Sequence, residues 1–155
     1  MAISLRFEST LKSNPEQVWR WITDVRCLRR EMRPWLWMSI PFGLRNLEDL
    51  DVQPGQPLFT SWLWLFGLLP IGFSKLTLLE LTPNVGFIEQ SPMTGTRLWR
   101  HQRSLEADGK GTKVIDQLTV EPLFAGWLVK GFLQLFFNSR HRSLRRRDRR
   151  QLHRD

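Results

Sequence analysis

Tyrosine is absent from this 155-residue chain, histidine occurs three times and cysteine once. The lone Cys27 excludes an intramolecular disulfide framework and a cysteine-based metal cluster, a usage that fits a reducing compartment. There is no Gly-rich phosphate loop, no His/Cys/carboxylate run at metal-ligand spacing and no evident nucleophile beside its base. Neither a metal nor a cofactor is therefore expected. The first residues, Met1 to Leu11, alternate with charges and lack the apolar block of a secretory leader, so a cytoplasmic location is expected.

What the chain has in quantity is tryptophan, phenylalanine and arginine. Its 8 Trp, 10 Phe and 41% hydrophobic content suit one globular domain with a real core. The net charge of +8 is unevenly spread. Residues 1–138 hold 15 Lys+Arg against 13 Asp+Glu, whereas Ser139 to Asp155 hold 8 Arg against 2 Asp.

Local patterns set out the elements. Ile3, Leu5, Phe7 and Leu11 alternate with polar residues as in a half-buried strand. Asn14-Pro15-Glu16 is a helix start, with a capping side chain, Pro at the first helical position and an acidic first turn; Val18, Trp19, Ile22 and Val25 follow at helical spacing. Asp24 can cap a second short helix that ends at Pro34. Trp35–Ile40 reads as a strand, and residues 45–56 as irregular. From Pro57 to Phe73 no residue is charged, and a strand over 58–66, a turn, and a strand from about Ser74 to Leu81 are expected. Turns at 83–86 and 108–111 delimit strands near Phe87–Ser91, Arg97–Glu106 and Thr112–Glu121. After Pro122 the pattern is helical for about 28 residues, roughly 40 Å. One curved antiparallel sheet of 6–7 strands wrapped on that final helix buries both apolar surfaces, an α+β architecture.

This order is that of the helix-grip fold. The stretches Phe7–Leu11 with Asn14-Pro-Glu-Gln-Val-Trp19, Leu98–Glu106 and Thr112–Pro122 resemble the SRPBCC superfamily of START-like, polyketide cyclase/dehydrase-like proteins along nearly the whole chain. The resemblance implies a helix-grip domain over 1–138, with 139–155 as the basic end of its last helix. It also implies a cavity between sheet and helix filled by an apolar ligand.

Three constellations bear on function. Trp35/Trp37 and Trp62/Trp64 are spaced to share a strand face, so each pair either walls a pocket or fills the core. Phe87, Leu118, Phe132 and Phe136 are further wall candidates. On neighbouring strands His101 and Arg103 share a face with Trp99, and Asp116 shares one with Leu118. If both faces point inward, an Asp116–Arg103 ion pair with His101 beside it forms the polar end of the cavity, because a buried charge must be paired. That group serves either to orient a ligand or as a purely structural network. A cyclase-like enzyme would need His101 as base, and the missing motifs favour binding over catalysis.

The third constellation is the tail. Arg140, Arg142, Arg145, Arg146, Arg147, Arg149 and Arg150 include like charges three and four apart, each costing a helix about 0.2–0.5 kcal/mol, so the end is expected to fray in isolation. An anionic surface would remove that repulsion. Trp62–Phe73 and the apolar start of the final helix then offer insertion loops beside a basic patch, as in peripheral membrane binding. Leu123–Phe137 is too short to span a bilayer. A merely solvated basic end is the plainest reading, membrane contact comes next, and nucleic acid is last, since no recognised motif accompanies the arginines.

Overall fold

A computed structural model describes residues 2–154, with side chains as far as 151. Strand β1 (Ile3–Leu11) leads into helices α1 (Pro15–Thr23) and α2 (Val25–Met32); strands β2 (Leu36–Met38), β3 (Pro57–Leu65), β4 (Leu69–Thr82), β5 (Gly86–Gln90), β6 (Thr96–Asp108) and β7 (Gly111–Pro122) follow, and helix α3 (Gly126–Arg154) ends the chain. A short 3-10 turn lies at Leu47–Asp49. The helix starts use the expected chemistry: Asn14 Oδ1 accepts from the Gln17 amide, and Asp24 Oδ1 accepts from the Arg26 and Cys27 amides.

The seven strands form one curled antiparallel sheet in the order β1-β7-β6-β5-β4-β3-β2. Gly86 sits at φ +150 where β5 meets β6, and a Cβ there would lie 2.2 Å from the Arg103 carbonyl. Only glycine lets the two backbones approach so closely.

Two differences from the expected elements have local causes. β2 is three residues long, and β4 begins at Leu69 instead of near Ser74, leaving a turn of only Phe66–Leu68. A register shift between Leu63 and Trp64 accommodates Pro70, which pairs with Trp64, so the hairpin continues past two residues that usually stop a strand.

Helix α3 is close to the expected length, running 29 residues through Arg154. Its inner stripe of Leu133, Phe136, Phe137, Arg140, His141, Leu144 and Asp148 is buried throughout, at the spacing of one helix face. Asp148 accepts from the Lys12 and Ser13 amides and from Ser13 Oγ at 2.7–2.9 Å, which fastens the end of the helix to the β1–α1 junction. Packing of this face and the Asp148 clasp thus override the repulsion among the arginines.

Two apolar clusters make the core. One joins Leu11, Val18, Trp19, Ile22, Leu105, Val114 and Leu144; the other joins Leu118, Val120, Leu133, Phe136 and Phe137. A chain ending at Ser139 would lose Leu144 and the Asp148 clasp, and is expected to show no cooperative urea transition. The triple substitution of exposed Arg146, Arg149 and Arg150 to Gln should shift stability by no more than about 0.5 kcal/mol.

Candidate functional site

Between α3 and the β2–β6 part of the sheet lies a cavity of about 620 Å³. That volume is within the usual range of small-molecule sites. Its walls are mostly aliphatic: Met38, Leu63, Leu76 and Leu78 from the sheet, Met32 from α2, and Phe132 and Phe136 from α3. No residue of β1 or β7 borders it, because those strands close directly against α3 through Phe7, whose ring stacks on Phe137 at 5.3 Å, and through Leu118 and Val120.

At its inner end the cavity meets a buried ionic cluster. Asp116 on β7 is 0% exposed and pairs across the strands with Arg103 on β6. Each carboxylate oxygen accepts two hydrogen bonds: Oδ1 from Arg103 Nε (2.8 Å) and His101 Nε2 (2.7 Å), Oδ2 from Arg103 Nη2 (2.8 Å) and His141 Nε2 (2.6 Å). Burial works to raise the Asp116 pKa, but the charge of Arg103, with the hydrogen bonds from Arg103 and His101, outweighs it and holds the carboxyl well below the usual range. An ionised acceptor fixes the proton of both histidines on Nε2. His141 Nδ1 is then free to accept from Ser9 Oγ at 2.5 Å, and Ser9 Oγ in turn accepts from Arg145 Nη1 at 3.0 Å.

Glu31 on α2 completes the cluster. Its Oε1 accepts from Arg103 Nη1 and its Oε2 from Arg140 Nη2, both at 2.8 Å. Burial pushes the Glu31 carboxyl up, and the two guanidinium groups pull it down further, for a net lowering. Two guanidinium and two carboxylate groups cancel, which makes their removal from water tolerable. Glu89 stands to one side, its carboxylate 3.9 Å from His101 Nδ1 and held by Ser91 Oγ at 2.7 Å.

Comparison with known proteins agrees on the fold. A family model described as a domain of unknown function, DUF8410, matches residues 9–147. This chain belongs to that family. No curated protein matches its sequence. Among solved structures it is similar to a protein from Chromobacterium violaceum (TM-score 0.70, 16% identity, covering 91% of this chain and 93% of that one). It is also similar to an aromatase/cyclase from a Streptomyces species (0.65, 12%, 98% and 96%) and to a START superfamily protein from Mycobacterium smegmatis (0.62, 12%, 97% and 98%). The fold is START-like.

In this DUF8410 protein, the residues singled out from sequence fall in three places. Phe87, His101, Arg103, Phe132 and Phe136 border the cavity. Asp116 lies behind Arg103, and Leu118 packs in the core under α3, so neither reaches the cavity wall. The four tryptophans also do not border it. Leu36 and Met38 on β2 and Leu63 and Leu65 on β3 face inward, which by strand alternation turns Trp37, Trp62 and Trp64 to the opposite face. Trp35 packs instead against Phe66 and Phe132, at 5.8 and 6.1 Å between ring centres. Trp62 and Trp64 share a face of β3, but not the one that lines the cavity, and Trp35 and Trp37 pack in different places, Trp37 under the Arg29 guanidinium at 5.2 Å.

Of the tail arginines, Arg140 is buried against Glu31 and its guanidinium lies 5.0 Å from the Phe137 ring, so it cannot contribute to a surface patch. Arg145 reaches Ser9, while Arg142, Arg146, Arg149 and Arg150 are exposed and Arg147 is partly buried. Glu31, His141 and Ser9 were missed as members of the polar site. The 133–148 stripe is the signal that places Arg140 and His141 inside, since both continue the face of Leu133, Phe136 and Phe137.

Since the folded pKa values of Asp116 and Glu31 lie below the ordinary carboxylate values of about 3.9 and 4.3, their stabilisation is complete above those values. It is lost as pH falls through the lowered ones. Asp116→Asn would set an amide N–H₂ against donors and should cost about 3–5 kcal/mol at pH 7. Urea midpoints measured from pH 7 down to 2 should show that loss, with a flatter acid limb in the variant than in the wild type.

Proposed function

We propose that this protein binds a small hydrophobic molecule in the cavity between the sheet and α3, and that the molecule carries hydrogen-bond acceptors. The observation that carries this reading is the pairing of an apolar wall with unsatisfied donors. Five buried side-chain polar atoms among the described residues lack a partner, and three of them, Ser74 Oγ, Trp99 Nε1 and Arg140 Nε, belong to residues bordering the cavity. Two of the three are donors only, and each is shielded while the cavity is empty, so a small rotation of Trp99 or Arg140 on binding would bring it to a carbonyl, carboxylate or ether oxygen, whereas a pure hydrocarbon would leave it unpaired at about 1–3 kcal/mol. Similarity in fold to a START superfamily protein and to an aromatase/cyclase supports a ligand cavity. A lipid-like, isoprenoid or polycyclic compound fits the mixed aliphatic and aromatic wall.

Binding is favoured over acid–base catalysis by the state of the polar cluster. Asp116 already accepts a hydrogen bond at each of its four lone-pair positions, and His101 spends its Nε2 proton on that carboxylate. Asp116 therefore has no lone pair left to act as a general base, and the one lone pair left on His101, at Nδ1, stands 3.9 Å from the Glu89 carboxylate and not against open space. The cluster is instead arranged to be rigid and neutral.

The test compares two ligands of one shape. Displacement of a fluorescent anilinonaphthalene sulfonate should need at least about tenfold less 2,3-dimethyl-1,4-naphthoquinone than 2,3-dimethylnaphthalene, a difference of about 1.4 kcal/mol. Trp99→Phe should shrink that ratio, and Leu76→Trp, which fills the cavity, should abolish specific displacement in both cases. Equal potency of the two compounds would remove the acceptor requirement, and undiminished displacement in Leu76→Trp would place the probe outside the cavity.

A further inference from the structure

The tip of the β3–β4 hairpin and the start of α3 expose large apolar side chains that a solvated surface does not explain. Leu68 is 84% exposed, Phe124 75% and Trp127 80%, with Phe66, Leu69 and Leu128 each more than half exposed. They are neighbours in space. Phe66 packs on Trp35, Trp35 packs on Phe132 of α3, and the Leu123 amide donates to the Gly95 carbonyl at 3.0 Å on the other side of the opening. Ile71, Phe124 and Leu128 are both exposed and part of the cavity wall, so these residues form a collar at the cavity mouth. Contiguous exposed apolar surface of this kind marks an interaction site.

The charges around the collar select the partner. No carboxylate occurs from Val52 to Leu79 or from Pro122 to Arg147, the two stretches that supply the collar, while Lys75 and Lys130 in them are exposed. Two copies meeting collar to collar would bring like charges together. An anionic bilayer instead offers apolar depth for the side chains and negative headgroups for the lysines. The outer face of the adjacent hairpin adds Trp62, edge-on to Phe73 at 5.8 Å, and indoles suit the boundary between headgroup and acyl chain.

We infer that the cavity mouth docks on an anionic lipid surface through this collar, and that the arginine tail does not take part. The exposed Arg149 is 21 residues beyond Leu128 on one continuous helix, about 30 Å at 1.5 Å per residue, which is several Debye lengths from a bilayer engaged at the mouth. Collar and tail lie at opposite ends of α3, so the basic patch is not beside the insertion loops as the sequence order suggests.

Cosedimentation of the full chain with phosphatidylcholine vesicles containing about 30% phosphatidylserine tests this, with pure phosphatidylcholine as reference. The wild type should pellet with the anionic vesicles. Leu68→Ser with Phe124→Ser and Trp127→Ser should lower the bound fraction at least about tenfold, and the Arg146, Arg149 and Arg150 to Gln variant should bind within about twofold of wild type. Circular dichroism checks the fold of each. Should the triple collar variant misfold, Trp127→Ala alone must reduce the quenching of tryptophan emission by brominated lipid. Collar variants that pellet like the wild type, or a tail variant that alone releases the protein, would overturn the inference. So would a concentration-dependent dimer in sedimentation velocity that the collar substitutions dissociate while vesicles bind neither form.

Discussion

The rest of the molecule depends on one fully buried carboxylate. Asp116 sits in the middle of β7 with Phe7 of β1 on one side and Arg103 of β6 on the other, and it faces His141 of α3. Leaving any of these donors out would strand a charge away from water, a far larger penalty than the loss of an average contact. The requirement therefore couples the sheet to the long helix, and through Arg103 and Glu31 it extends to α2. The cluster lies between the two apolar clusters, so it acts as a polar layer that fixes the register of elements a purely apolar core would hold less uniquely.

The cavity follows from how that layer is built. Strands β1 and β7 close on α3, whereas the inward residues of β3 and β4, such as Leu63, Ser74 and Leu76, face open space instead of a packed partner. Side chains of Arg103 and His101 cannot fill that space, since both are held against Asp116. Protein interiors are normally filled to crystal-like density. An opening of this size beside a buried ionic cluster forgoes packing contacts that a bound apolar molecule would restore.

Much of the fold was legible because it rests on local rules. Alternation in Ile3–Leu11, the caps at Asn14 and Asp24, and the turns at Pro83–Gly86 and Asp108–Gly111 all act within a few residues, and the structure places elements at each. The spacing of His101, Arg103 and Asp116 also foretold that they would meet across two strands. Spacing could not tell which face of β2 and β3 turns inward. A period of two is satisfied equally by Trp62 and Trp64 or by Leu63 and Leu65, and both sets are apolar. The choice went to the smaller side chains, leaving the indoles outside.

The sequence by itself determined the order of elements, the pairing of neighbouring strands and the Asp116–Arg103 pair at the centre of the buried cluster, because these depend on backbone propensity and on short-range geometry. Only the tertiary structure decided where the charges went. Arg140, His141 and Asp148 read as parts of a basic run, yet each is buried, since the helix face that begins at Leu133 carries them under the sheet and meets Glu31, Asp116 and the Ser13 amide there. Partners 109, 25 and 135 residues apart in the chain are brought together by the wrapping of the sheet on α3, and no local signal records such a meeting.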